Sequence, residues 1–90
     1  MTSDLFTRNP GTIVFYGTSW CGDCRRARRV FSQVGTPYTE VDIDADELAE
    51  AFVKELNRGY RSVPTIIFPD GSMLSEPDDD KLLEKLKSLS

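Results

Sequence analysis

The apolar residues of this chain alternate between two spacings, and the alternation predicts its elements. Residues 12–16, T-I-V-F-Y, are β-branched and aromatic and lie between N-P-G and G-T-S, which suits a short buried strand. From Asp23 onward the apolar positions are Ala27, Val30, Phe31 and Val34, spaced i, i+3, i+4, i+7. That spacing predicts an amphipathic helix stopped by Gly35 and Pro37. Residues 37–43, P-Y-T-E-V-D-I, set Tyr38 or Thr39 in alternation with Val41 and Ile43, a second strand. A second helical stripe follows at Ala49, Phe52, Val53 and Leu56, with Asp44 or Asp46 as its cap and its end over residues 57–59. T-I-I-F at 65–68 and residues 72–74 flank P-D-G and predict a hairpin. The tail D-D-D-K-L-L-E-K-L-K-S-L places acids in a first helical turn and lysines in the last, with Leu82, Leu83, Leu86 and Leu89 as the buried stripe.

The predicted order is strand, helix, strand, helix, strand, strand, helix: an α/β fold with a four-stranded mixed central sheet and three helices. A helical crossover makes the first two strands parallel, and the closing hairpin is antiparallel. Ninety residues is the length of one small domain, within the usual range of about 50–250. Residues 1–11 are expected to be a loose lead-in. Charge is unevenly spread. Residues 1–36 carry five arginines against Asp4 and Asp23, a balance of +3, and residues 37–90 carry six basic against thirteen acidic groups, a balance of −7. The acidic majority argues against a phosphate-backbone partner. The opening M-T-S-D-L-F-T-R-N-P has no apolar core of a signal peptide, and no apolar run approaches the roughly 18 residues of a membrane span. A soluble, cytoplasmic monomer is expected, with neither nucleic acid nor membrane as partner.

The only two cysteines, Cys21 and Cys24, stand in Y-G-T-S-W-C-G-D-C-R-R-A-R-R at the junction of the first strand and first helix, where ligands of such sheets usually sit. Three readings compete. A metal clip needs about four ligands, and the chain has no histidine and no second cysteine pair, so no metal site is expected. Two reduced core cysteines are a second reading, although a strand-to-helix turn is a poor place to hide both thiols. A redox pair explains the spacing: positions i and i+3 are neighbours on a first helical turn, and sulfurs there reach bonding distance with little strain. Unpaired N–H groups at a helix start also favour a thiolate. On a helical wheel Cys21 lies near the face of Arg25, Arg26, Arg28 and Arg29, whereas Cys24 turns toward Ala27 and Phe31. Cys21 is therefore expected to attack and Cys24 to resolve. Asp23 opposes the thiolate, with Arg25 one turn beyond Cys21 as the expected counterweight.

Y-G-T-S-W-C-G-D-C, R-S-V-P-T and D-G-S-M-L-S-E-P-D-D-D together resemble the glutaredoxin-like proteins of the thioredoxin superfamily, most closely the mycoredoxins of actinobacteria. The resemblance runs from about residue 12 to the C-terminus. It implies a thioredoxin fold in minimal glutaredoxin form, a cis Pro64 facing the cysteines, and a backbone at Val63 that binds the thiol cofactor. Trp20 would wall the site, and Arg61 and Ser62 border the same groove. Where relatives that use glutathione have a G-G pair before an acidic helix start, this chain has Ser75 and Glu76, then Asp78 and Asp79. An extra glutamate repels the two carboxylates of glutathione, whereas mycothiol has none and carries hydroxyls that can donate to carboxylates.

The resemblance thus implies a thiol-disulfide oxidoreductase acting on mycothiol-protein mixed disulfides, with mycothiol as co-substrate ahead of glutathione and no bound prosthetic group. Two other readings stand beside it. One is an electron donor for ribonucleotide reductase, although S-E-P-D-D-D lacks the aromatic and arginine of that family's W-S-G-F-R-P-D. The other is an iron-sulfur carrier dimer bridged through Cys21. C-G-D-C also departs from the C-G-P-C and C-P-Y-C of better-known relatives, so no reduction potential carries over.

Overall fold

The computed structural model describes residue 7 and residues 10–89, so the expected lead-in lies largely outside the described residues. The elements follow the predicted order: β1 (Val14–Gly17), α1 (Gly22–Val34), β2 (Thr39–Asp42), α2 (Glu47–Leu56), β3 (Thr65–Ile67), β4 (Met73–Ser75) and α3 (Asp79–Ser88). The strands form one mixed sheet in the order β2-β1-β3-β4. β1 pairs in parallel with β2, Tyr16 opposite Val41, and antiparallel with β3, Phe15 opposite Ile66. β4 completes the antiparallel hairpin, Ile66 opposite Leu74.

β1 is buried at all four positions because it is central and covered on both faces. Successive side chains of a strand point to opposite faces, and here Phe15 meets Phe31 of α1 while Tyr16 meets Phe52 of α2. α1 and α2 therefore cover opposite faces, and α3 packs beside α1. α1 ends as its sequence predicts: Gly35 adopts a left-handed φ of 76°, and its N–H donates to the Phe31 carbonyl at 2.9 Å.

Three details refine the periodicity or depart from it. Asp46, not Asp44, caps α2, accepting from the amides of Leu48 and Ala49. Leu89 stays 40% exposed because α3 has ended at Ser88, one residue before it could turn inward. Asn57, at the end of α2, is more than a helix stop. Its side-chain amide donates to the Val53 carbonyl and to Thr65 Oγ1, and its carbonyl oxygen accepts from the Ser75 hydroxyl at 2.6 Å. One polar side chain so ties α2 to β3 and β4.

Candidate active site

Cys21 is the N-cap of α1, with an extended backbone (φ −76°, ψ 123°), and its sulfur takes the place of the usual cap oxygen, accepting the Cys24 amide at 3.2 Å. The chain turns from β1 into the helix over Thr18, Ser19 and Trp20, so the sulfur faces the unpaired amides of the first turn. The Cys21 thiol in turn donates to the Val63 carbonyl at 3.7 Å, across the cis Val63–Pro64 bond's loop. Pro64 is cis, as the resemblance implied.

The two thiols differ in access. Cys21 retains 7% of its surface and Cys24 none. Burial is the main reason that the Cys24 thiol is pushed up to about 12; hydrogen bonding and charge from Cys21 add to the rise, while the Thr18 backbone and the Arg28 charge oppose it. Cys24 is thus a sealed, protonated thiol, while Cys21 keeps a small exposed edge. Both are free thiols in this structure.

Gly17 explains how the pair fits beneath β1. A Cβ at this position would lie 2.7 Å from a Phe15 ring carbon and 3.0 Å from the Cys24 sulfur. Neither neighbour has room to retreat, since Phe15 and Cys24 are fully buried. Gly17→Ala is expected to lower the stability of the reduced protein by about 1–3 kcal/mol, the usual range for overpacking. Urea midpoints would measure it, and a midpoint equal to the parent's would show that the turn yields freely.

Trp20 is 62% exposed and donates its indole N–H to the Asp44 carboxylate at 2.7 Å. The same carboxylate pairs with Arg61, which also reaches Glu50 of α2 at 2.6 Å. The indole bond, then Arg61, holds the Asp44 carboxyl below its ordinary range, and Arg61 does the same for Glu50. Ser62 offers its carbonyl to the Thr65 hydroxyl at 2.8 Å. The Glu76 amide donates to the Pro64 carbonyl at 2.8 Å, from a backbone held at φ 48°. Trp20, Cys21, Arg61, Val63, Pro64 and Glu76 are thereby linked through one loop system. Asp78 serves α3 instead, capping it at the Lys81 amide at 2.8 Å, and Asp79 follows in the exposed first turn.

Sequence reasoning missed Asp44 and Glu50 as partners of Arg61. It also misplaced one arginine. Asp23 pairs with the surface arginine one turn on, Arg26. Arg28, grouped with the arginine face near Cys21, turns inward: it holds Glu40 through two nitrogens, donates to the Thr18 carbonyl at 2.8 Å, and lies 5.5 Å from the Phe15 ring centre. Its signal was the i, i+4 spacing from Cys24.

Among the described residues no helix is long and apolar enough to cross a membrane, and no three His, Cys, Asp or Glu side chains converge as a metal site. The family model described as glutaredoxin matches residues 13–73. A Mycobacterium tuberculosis protein named as a glutaredoxin is 40% identical over 78 residues, covering 87% of this chain and 93% of the relative. Mycoredoxin 1 of Corynebacterium glutamicum is 33% identical over 78 residues, covering 87% of this chain and 96% of the relative. Among solved structures, the glutaredoxin of Archaeoglobus fulgidus superposes with a TM-score of 0.72 at 21% identity, over 96% of this chain and 97% of that one. This likeness establishes the thioredoxin-like fold.

Proposed function

The chain belongs to the glutaredoxin family and is a thiol-disulfide oxidoreductase, and from that premise we propose that it removes mycothiol from protein mixed disulfides in the cytoplasm. Cys21 attacks the cofactor-side sulfur, the client thiol leaves, and the cofactor sulfur stays on Cys21. A second mycothiol then frees Cys21 and departs as mycothiol disulfide. Alternatively, Cys24 closes a disulfide with Cys21. Every step exchanges one S–S bond for another, so the released thiol carries away the electron pair and takes up a proton.

The observation that carries the cofactor choice is the pairing of Arg61. The cation bordering the groove is matched by Asp44 and Glu50, and Glu76 stands beside Pro64. Such a rim has little to offer the carboxylates of glutathione, while hydroxyls of a sugar and inositol can donate to it. The 33% identity to a mycoredoxin supports the same choice. Trp20 is the wall on which the bound thiol lies, and the Val63 backbone is its anchor.

The test is turnover of one mixed-disulfide substrate with a mycothiol recycling system and, separately, a glutathione system. Faster turnover with mycothiol is expected; activity with glutathione alone would overturn the choice and leave the enzyme class standing. Freeing Arg61 should shift the balance. The double variant Asp44→Asn, Glu50→Gln is expected to raise kcat/KM with glutathione by up to about fivefold, the range of an exposed ion pair, with the gain shrinking as salt rises. An unchanged or lower value would show that Arg61 does not face the cofactor.

A further inference from the structure

Near Cys24, a group of residues has no part in the attack described above. The Arg28 guanidinium is fixed by a bidentate pair with Glu40 of β2, its Nε 2.9 Å from one carboxylate oxygen and its terminal nitrogen 2.6 Å from the other. That same nitrogen donates to the Thr18 carbonyl at 2.8 Å. Thr18 is buried, and its hydroxyl finds no hydrogen-bond partner among the described residues. Thr18 follows Gly17, where a Cβ would lie 3.0 Å from the Cys24 sulfur, and the Thr18 backbone favours the ionised form of that thiol. A strand carboxylate therefore holds the arginine, and the arginine holds the Thr18 peptide in the turn that packs against the buried sulfur.

We propose that Arg28 is the positioning residue of the resolving step, holding the Thr18 peptide and its own charge where a thiolate forms at Cys24. The inference rests on the reading of Cys24 as the resolving thiol and adds the device that makes a sealed thiol usable. In that step the Cys24 thiol gives its proton to water, and the thiolate attacks the Cys21 sulfur of a mixed disulfide. The Cys21–Cys24 bond forms as the bond from Cys21 to the foreign sulfur breaks, and the foreign thiolate leaves with the electron pair. The two protein thiols are oxidised and the incoming disulfide is reduced.

Burial works against this chemistry, since it is the largest cause holding Cys24 in the thiol form. The two influences from outside the cysteine pair that favour the thiolate are the Thr18 backbone and the Arg28 charge, and both depend on where the guanidinium sits. Cys21 makes other contacts: its sulfur accepts the Cys24 amide, and its thiol donates to the Val63 carbonyl. Loss of Arg28 should consequently fall on closure and not equally on attack.

Reduced protein mixed with an aromatic disulfide that releases coloured nitrothiobenzoate separates the two steps in one trace. Attack by Cys21 releases the first equivalent and closure by Cys24 the second. Arg28→Gln is expected to slow the second phase by roughly three- to tenfold, because a one-unit rise in the pKa cuts the thiolate tenfold and greater nucleophilicity returns part of it. The first phase should change by much less. Arg28→Lys, which keeps the charge without the fork, should fall between the two, and Glu40→Gln, which loosens the clamp, should also slow the second phase. Equal slowing of both phases, or a second phase untouched in all three variants, would overturn the inference. A single equivalent from the unsubstituted protein would remove the resolving role of Cys24 and the inference with it, while leaving attack by Cys21 intact.

Discussion

Replacing Cys21 with serine is expected to reduce turnover of a mixed disulfide to the solution background, while replacing Cys24 with serine should leave most of it. The difference follows from the position of each sulfur. Only a thiolate exchanges with a disulfide at a useful rate, and a serine hydroxyl in place of Cys21 has neither a base beside it nor the acidity of a thiol. Cys24 cannot take over: it is sealed from solvent and, with its thiol pushed up to about 12, stays protonated at neutral pH. Without Cys24, the mixed disulfide on Cys21 still reacts with a second molecule of low-molecular-weight thiol, so the monothiol route survives. Coupled assays on the two variants test both halves. Alkylation of the native protein at neutral pH, followed by mass measurement, should add one label at Cys21, and a second only after unfolding. Labelling of Cys24 first, or an inactive Cys24→Ser protein, would reverse the assignment.

The placement of the two cysteines was legible before any coordinates, because helical spacing alone sets Cys21 at the helix start and Cys24 on the buried stripe. The order of elements was legible for the same reason: period, turn residues and caps are local properties. What stayed hidden depends on which segments meet. Arg28 looked like Arg26 and Arg29 until Glu40 of the neighbouring strand stood opposite it. The Trp20, Asp44, Arg61, Glu50 cluster draws on four segments between residues 20 and 61, and no spacing along one helix or strand encodes it. Asp44 shows the limit sharply, since either Asp44 or Asp46 fits a cap by type. The structure commits Asp46 to the helix and so leaves Asp44 for the indole and the guanidinium.

Phe31→Ala is expected to be the most damaging single change to stability, at about 3–5 kcal/mol for a large buried aromatic reduced to a methyl. Phe31 is 1% exposed and closes a cluster of three rings: its centroid lies 6.0 Å from Phe15, edge-on, and 4.3 Å from Tyr38, which is itself 5.5 Å from Phe15. Phe15 belongs to the central strand, Phe31 to α1, and Tyr38 to the entry of β2, so the cluster joins three consecutive segments of the chain. A cavity there cannot fill by a shift of one neighbour, because each remaining ring packs against the other. For a domain of 90 residues the total stability is of order 5–13 kcal/mol, so the loss takes a large share of it. At about 4–8 °C per kcal/mol the Tm should fall by roughly 12–40 °C, read by calorimetry on the reduced protein. Phe31→Leu, which keeps most of the volume, should lose far less. The active site lies at the other end of α1, where Cys21 is held by the cap and by Val63. Cys21 alkylation well below the new Tm should therefore keep its native rate. A Tm within a few degrees of the parent would show that the rings contribute little, and a slowed alkylation in folded protein would show that the seating of α1 reaches the thiol.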